Sequence, residues 1–558
     1  MSDFQRQLDE VRGDRSEVQN HVIDELLAGR ISRREFIRAG SVVGMSLPLL
    51  SFIAACGTST PAGSSGGGGS VKKGGKITVG LVTPAHEVDP FKVSDEGGLA
   101  LISQMGEFLA DSNKDLTLQP RLAESWKPNS DGTMWTFKIR TGVTFNDGTP
   151  MTADDVAFTI NLHADPANGS NALSAFKGVL SKGAAKATDA TTVEVHLDSA
   201  NGNFPYLVSS DNYNLIILPK TYTGGFNKTW PGTGPWKVTA YQTGASMTTV
   251  RNPTYWDKSN TPPLDEVDWK FFQDESPRIL ALQGNTLQLV SHFSPSNGQA
   301  LFSDSNITVI DVPTSQHRQV HMRTDMEPFT DKRVRQAVAL SLNRPQLVQG
   351  LLNGKAQVAN DSPFFKVFPS TDSSISQRTA DMTKAKSLLS AAGKSSGFAV
   401  TLSTWRGFEI PDYAQLIQSA VKPLGINITL NITDASTYYG DAVFGKSTWL
   451  DSNMGITDYG HRAVPNVFLG APLVSTGVWN SAHFKNDQYD ALFKQYVAAL
   501  DLTAQKKVSG QIQQLLLDET PIIFAYNYDI LGASRSNLTG VIITGIFQVD
   551  LRKAGFKS

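Results

Sequence analysis

Alternation of apolar and polar positions marks the first recognisable elements of the chain. The stretch "MWTFKIR" (134–140) sets Trp135, Phe137 and Ile139 on one face at period two, and "TVEVHL" (192–197) does the same with Val193, Val195 and Leu197. Both predict half-buried strands. Between 380 and 432 the texture changes. "DMTKAKSLLSAAG" reads as a helix stopped by Gly393, "FAVTLST" as a strand, "DYAQLIQSAVKPLG" as a helix closed near Gly425, and "INITLNI" as a strand with Ile426, Ile428, Leu430 and Ile432 alternating. Helix, strand, helix, strand with short joints predicts a parallel sheet with crossover helices, hence an α/β unit in the C-terminal half.

Two further segments predict capped helices. "TPMTADDVAFTI" places Thr152 as N-cap with Asp154 and Asp155 in the first turn, where they complement the helix dipole. "DKRVRQAVALSL" starts at Asp331 and spaces Val334, Ala337, Val338, Ser341 and Leu342 for one buried face. "FNDGT" and "GTGPW" supply the glycine, Asn and Asp of tight turns.

The N-terminal pattern is of another kind. In "ISRREFIRAGSVVGMSLPLLSFIAAC" (31–56), Arg33, Arg34 and Arg38 precede an apolar run from Val42 to Ala55 that ends in small residues before Cys56. The run is shorter than the roughly 20 residues a spanning helix needs and contains Pro48, so it reads as an export signal. "SRREFIR" resembles the twin-arginine export motif, and "IAAC" resembles the lipobox of bacterial lipoproteins, which implies that Cys56 receives diacylglycerol and becomes the mature N-terminus. The competing reading makes Cys56 a buried small hydrophobe in a helical hairpin. "GTSTPAGSSGGGGSVKKGG" (57–75) has the composition of a flexible tether.

Composition narrows the function classes. With 50 basic and 52 acidic residues there is no broad basic face for nucleic acid, and a single cysteine excludes an intramolecular disulfide or a cysteine-cluster metal site. At 558 residues, two or more packed units are expected.

Sheets of this kind bind ligands at the carboxyl ends of their strands. Trp405 and Arg406 follow one predicted strand; Asp458 and Tyr459, in "TDYG", follow the apolar "NMGI". If those strands are neighbours, a solute with an amine and a carboxylate fits between them; otherwise Arg406 and Asp458 are unrelated surface charges.

Four segments in order, "LAESW" (122–126), "FKIRTGVTFNDGTPMTADDVAFTI" (137–160), "GTGPWKV" (232–238) and "PFTDKRVRQAVALSLNR" (328–344), with "VDP" (88–90) and "GEFL" (106–109) before them, resemble the family 5 solute-binding proteins of bacterial ABC importers, the peptide, nickel and opine class. The resemblance runs from about residue 76 to the C-terminus. It implies an α/β, two-lobed periplasmic-binding-protein clamp of type II, with lobe I at 76–312 and 525–558, an extra subdomain at about 116–231, and lobe II at 313–524. In peptide-binding members a "DY" dipeptide before a short run to proline supplies the Asp that holds the ligand amine, which puts Asp458 of "TDYGHRAVPNVFL" in that role. Arg323, in "VHMRTDMEPF", stands where the family commonly has Asn, and is expected to add a positive charge near the lobe junction.

Three local patterns carry less. "GDAVFGKS" (440–447) fits the phosphate-loop spacing, but Val443 and Phe444 fill its middle. "GSSGG" (63–67) fits a nucleophile elbow only because the segment is low in complexity. His317 and His321, four apart on a predicted strand, stand about 13 Å apart at 3.3 Å per residue, too far to share an ion. The expected protein is a monomeric, lipid-anchored, extracytoplasmic solute-binding subunit, without cofactor or metal. It takes short peptides or a similar amine-bearing solute to an ABC permease. The alternatives are a nickel chelate, opine or oligosaccharide on the same fold, and a secreted hydrolase, against which the lack of HExxH or a credible nucleophile elbow speaks.

Overall fold

The computed structural model describes residues 71–558, which form one compact unit. Cys56, Arg33 and Arg34 lie outside the described residues. The expected tether reaches residue 75, but its last part is docked: Val71 bridges to Lys557, the Lys72 N–H donates to the Phe556 carbonyl at 2.9 Å, and the Gly75 N–H donates to Asp265 at 3.0 Å. Gly74 and Gly75 take φ of +85° and +96°, which only glycine adopts readily, so the turn into the first strand uses their freedom rather than the linker's.

Three sheets organise the described residues. A seven-stranded sheet runs in the order 307–312, 530–535, 289–290, 76–82, 266–272, 246–251, 236–242. A six-stranded sheet runs 356–358, 522–528, 317–322, 454–459, 398–405, 426–433. A four-stranded antiparallel sheet, 123–128, 134–139, 192–196, 185–189, makes the core of a smaller unit inserted in the first lobe. The chain passes from the first sheet to the second through Pro313–Gln316 and returns between the Ile522–Tyr528 and Ile530–Arg535 strands at Asp529. Two such short crossings between two sheets are what a two-lobed clamp requires, and this chain is one.

The predicted periodicities take their expected forms. Trp135, Phe137, Ile139, Val193 and Val195 are buried in the four-stranded sheet's core. The Met382–Ala391 helix is capped by Asp381, whose carboxylate accepts from the Lys384 N–H at 2.8 Å, and Gly393 follows at φ +70°. The Ile410–Val421 helix tightens into a 3₁₀ turn before Gly425 at φ +75°. The Phe398–Trp405 strand is parallel to Ile426–Thr433 and to Met454–Tyr459, as helix crossovers demand, while the other three strands of that sheet add antiparallel, so the lobe is mixed rather than wholly parallel. Thr152 and Asp331 are N-caps. At Thr152 the Asp155 carboxylate accepts both the backbone N–H, at 2.7 Å, and the hydroxyl, at 2.9 Å. The glycines of "GTGPW" serve close approach: a Cβ at Gly232 would stand 2.1 Å from the Met105 carbonyl oxygen.

Candidate functional site

Strand direction decides which predicted residues meet. Because Phe398–Trp405 and Met454–Tyr459 are parallel, with Ser403 beside Gly455, their carboxyl ends share one edge of the second sheet. The antiparallel His317–Met322 strand begins at that same edge, with His317 opposite Tyr459 and Arg318 opposite Asp458. Trp405, Arg406, Asp458 and Tyr459 are therefore gathered at one edge, next to the crossing at Pro313–Gln316. Arg323 is not among them. It lies past the other end of its strand, about 16 Å from Arg318 at 3.3 Å per residue, where its guanidinium holds Asp325 at 2.8 and 3.0 Å and the Asp451 carbonyl at 3.1 Å. The lobe crossing is at the start of that strand, so the expected contribution of Arg323 to the junction is not made.

Asp458 is half-buried, and its carboxylate accepts the Tyr439 hydroxyl at 2.5 Å. Burial and the Asp458 charge both push the Tyr439 hydroxyl up, so it stays a donor. Aromatic rings surround this pair. Tyr439 packs on Trp405 (6.0 Å between centroids), Tyr438 (5.1 Å) and Trp449 (5.4 Å), and Trp479 bridges Trp449 (6.0 Å) to Tyr459 (6.1 Å). Tyr459 is buried and stacks on His317 with ring planes 5° apart. Four polar tips in this group, Trp405 Nε1, Tyr438 Oη, Trp449 Nε1 and Tyr459 Oη, are buried with no hydrogen-bond partner among the described residues. Leaving such a group unsatisfied costs about 1–3 kcal/mol each. Arg406 is exposed; its backbone N–H ties it to the neighbouring strand through the Thr433 carbonyl at 2.8 Å.

Behind Asp458 lies a buried network the sequence did not reveal. Arg318 donates to both Glu409 oxygens at 2.9 Å and to the Tyr528 hydroxyl at 2.9 Å, and the Tyr526 hydroxyl donates to Glu409 at 2.9 Å. The guanidinium also sits over the rings of Tyr528, at 4.5 Å, and Phe408, at 5.1 Å. Burial opposes its charge, yet Tyr528, Glu409 and Asp458 outweigh burial and hold Arg318 well above its ordinary value. The signal for this residue was muted: "HRQVHM" reads as a polar strand, but all six of its residues are buried because the strand is central and covered on both faces.

The first lobe holds two adjoining cavities. One, of about 170 Å³, is lined by Glu107, Asp111, Lys114, Asp550 and Arg552 among others, and Arg552 bridges Asp111 at 3.0 Å and Asp550 at 2.9 Å. The other, of about 100 Å³, reaches the crossing at Pro313 and His461. Elsewhere the local patterns find structural uses. In the 440–447 loop the Gly445 and Ser447 amides donate to the Asp451 carboxylate at 2.9 and 3.1 Å, which occupies the donors a phosphate would need. His317 Nδ1 contacts the Ser315 carbonyl at 2.8 Å and His321 Nε2 the Ser452 carbonyl at 3.1 Å, so each ring has its own partner.

A sequence profile described as "Bacterial extracellular solute-binding proteins, family 5 Middle" matches residues 117–469. The chain belongs to that family. Its members are solute binders of transport systems rather than enzymes, and they work outside the cytoplasm; among the described residues no helix is long and apolar enough to cross a membrane. The chain is 25% identical over 546 residues to the dipeptide-binding protein DppE of Bacillus subtilis (strain 168), covering 92% of this chain and 98% of the relative. It is 25% identical over 474 residues to the glutathione-binding protein GsiB of Escherichia coli (strain K12), covering 83% and 91%. In fold it is similar to the unliganded open form of the periplasmic murein tripeptide-binding protein MppA, with a TM-score of 0.76 at 22% identity over 88% of this chain and 99% of that one.

Proposed function

We propose that this family 5 protein captures short peptides, or a similarly amine-bearing solute, between its lobes and delivers them to an ABC permease. The observation that carries the reading is Asp458: a half-buried carboxylate at a strand's carboxyl end, braced by Tyr439 and ringed by aromatic side chains whose polar tips lack partners. A carboxylate among aromatic faces suits an ammonium group, through a charge-assisted hydrogen bond and cation–π attraction. Trp405 and Tyr459 supply apolar surface, and exposed Arg406 is placed to meet a carboxylate on the same solute. That the similar proteins include a dipeptide binder and a glutathione binder supports a peptide-like solute. Capture follows from differential affinity: a solute that touches both lobes binds the closed arrangement more tightly and shifts the clamp toward it.

In this reading lobe I comprises 76–312 with the residues after Asp529 and lobe II comprises 313–528, later than the expected 524/525 boundary because the whole Ile522–Tyr528 strand pairs in the second sheet; the mature protein is a monomer tethered through lipid on Cys56 after export directed by Arg33 and Arg34. Native mass spectrometry of the purified protein, before and after exposure to a casein digest, tests the function. Retention of peptides with free amino termini is expected; retention of only a metal chelate or sugar contradicts it. Cys56→Ser should release the protein from membranes without changing its fold, and an unchanged membrane fraction contradicts the anchor.

A further inference from the structure

The crossing between the lobes holds a ring whose free nitrogen has no assigned use. Ser315, fully buried in the Pro313–Gln316 crossing, donates its backbone N–H to His461 Nδ1 at 3.0 Å. Its hydroxyl donates to the Arg462 carbonyl at 2.7 Å and accepts the Arg462 N–H at 2.9 Å. A ring nitrogen that accepts from a backbone amide carries its lone pair there, so in the neutral imidazole the proton sits on Nε2. Burial, assisted by Arg462, pushes His461 down to about 3, which keeps the ring neutral at physiological pH. Nε2 is thus a neutral donor of fixed direction, and no acceptor among the described residues takes its proton.

The ring packs on the first lobe by its face: a Cβ at Gly545 would stand 2.8–2.9 Å from Cδ2, Nε2 and Cε1 alike, so glycine lets the backbone lie against the ring, while Nε2 keeps accessible surface where the ring lines the adjoining cavity. Ring and glycine stand on the wall of the cavity of about 100 Å³, which Ser112, Asn113, Lys114 and Asp211 also line. Each acid there has a partner of its own: Asp211 accepts the Ala463 N–H at 2.9 Å, and Asp311 holds Lys355 at 2.8 Å. Lys114 is exposed and has no ion-pair partner among the described residues. His461 Nε2–H and the Lys114 ammonium are donors on this wall without a partner among the described residues. A cavity of about 100 Å³ has room for a carbonyl or carboxylate group.

We propose that His461 is a solute-binding residue whose Nε2–H donates to an acceptor oxygen, a peptide carbonyl or a carboxylate, lodged in the cavity at the crossing. The inference rests on the reading that an amine-bearing solute binds between the lobes, and it sharpens it. His461 follows Asp458 by three residues, at most about 11 Å between their Cα atoms, so a single solute with an amine and an acceptor oxygen can meet both side chains. Because Nδ1 grips the crossing and Nε2 the solute, the same ring ties occupancy to the hinge.

Two substitutions separate the roles of the two nitrogens. The amide oxygen of Asn stands near the place of Nδ1 and can still accept from Ser315, but nothing replaces Nε2–H; the longer Gln places its amide near Nε2. Full-length parent, His461→Asn and His461→Gln are each exposed to a casein digest, and the peptide the parent retains best is then titrated by calorimetry. His461→Asn should weaken binding roughly 10-fold at an unchanged melting temperature, and His461→Gln should recover most of the loss. An Asn variant that binds as tightly as the parent overturns the assignment while leaving the peptide reading intact. Equal weakening in both variants with lowered melting temperatures shows a purely structural ring and also overturns it. A parent that takes up no peptide overturns the peptide reading, and this inference with it.

Discussion

Arg318→Met keeps most of the side-chain length and removes the guanidinium at the centre of the network behind Asp458. In the parent the Arg318 side chain is 1% exposed and Glu409 13%; two hydrogen bonds join them to each other, one joins Arg318 to Tyr528 and one joins Tyr526 to Glu409. Removing one partner of so buried a pair costs about 3–5 kcal/mol, because the other charge is left uncompensated. If lobe II, residues 313–528, unfolds as a unit with an entropy of about 2.1 cal/mol/K per residue, that loss lowers its melting temperature by about 7–11 °C. The pH dependence has a definite sign. In the parent, burial raises the Glu409 carboxyl but Arg318 outweighs burial and holds it below its ordinary value, so its contribution is present at neutral pH and lost on acidification. In the variant burial outweighs the remaining Tyr526 and backbone hydrogen bonds, the carboxyl rises above its unfolded value, and the contribution is lost as pH rises instead. Differential scanning calorimetry at pH 7 and pH 5 should therefore show a deficit that narrows at the lower pH. The double variant Arg318→Met/Glu409→Gln, which leaves no buried charge, should regain most of the stability. A single variant melting within about 2 °C of the parent at pH 7, or a deficit that widens at pH 5, refutes the reasoning.

Two other perturbations follow from lobe II and the crossing. Asp361, fully buried between Arg344 at 2.7 Å and Arg378 at 2.7 Å, anchors two segments, and Asp361→Asn should cost about 3–5 kcal/mol in denaturant unfolding; a midpoint matching the parent's contradicts that. Asp529, in the return crossing, is raised above the ordinary carboxylate range by burial and by Asp311 beside it, so its stabilising contribution is present at acidic pH and lost as pH rises through that raised value. The parent's melting temperature should fall from pH 6 to pH 8 relative to Asp529→Asn, and parallel curves contradict the pairing.

What was legible in the sequence was what depends on local period and local caps. Trp135, Phe137 and Ile139 fall on the buried face that alternation predicts, Asp331 caps its helix by donating nothing and accepting the Arg333 N–H at 2.8 Å, and Gly393 and Gly425 end helices at positive φ. The place of Asp458 near the carboxyl end of a strand was legible because that strand could be recognised from its apolar run. Arg318 was not, because a central strand covered on both faces has no polar side, so its buried cation looked like a solvated one. Arg323 was misplaced for a related reason: a strand's position is visible in sequence, but its direction relative to the crossing is set by pairing across more than a hundred residues. His461 was silent because its tautomer depends on Ser315, 146 residues away.

The central claim, that Asp458 holds a cationic group of the solute, is tested most directly by titration calorimetry of Asp458→Asn with the solute retained by the parent. Asn keeps the size and an acceptor for Tyr439 while removing the charge, so the change reports the ion pair. Truncating one partner of a desolvated charge pair costs about 2–5 kcal/mol, and the account predicts binding weaker by roughly 30-fold or more, with a melting temperature of the unliganded protein close to the parent's. An Asn variant that binds the solute as tightly as the parent contradicts the account and removes Asp458 from the site.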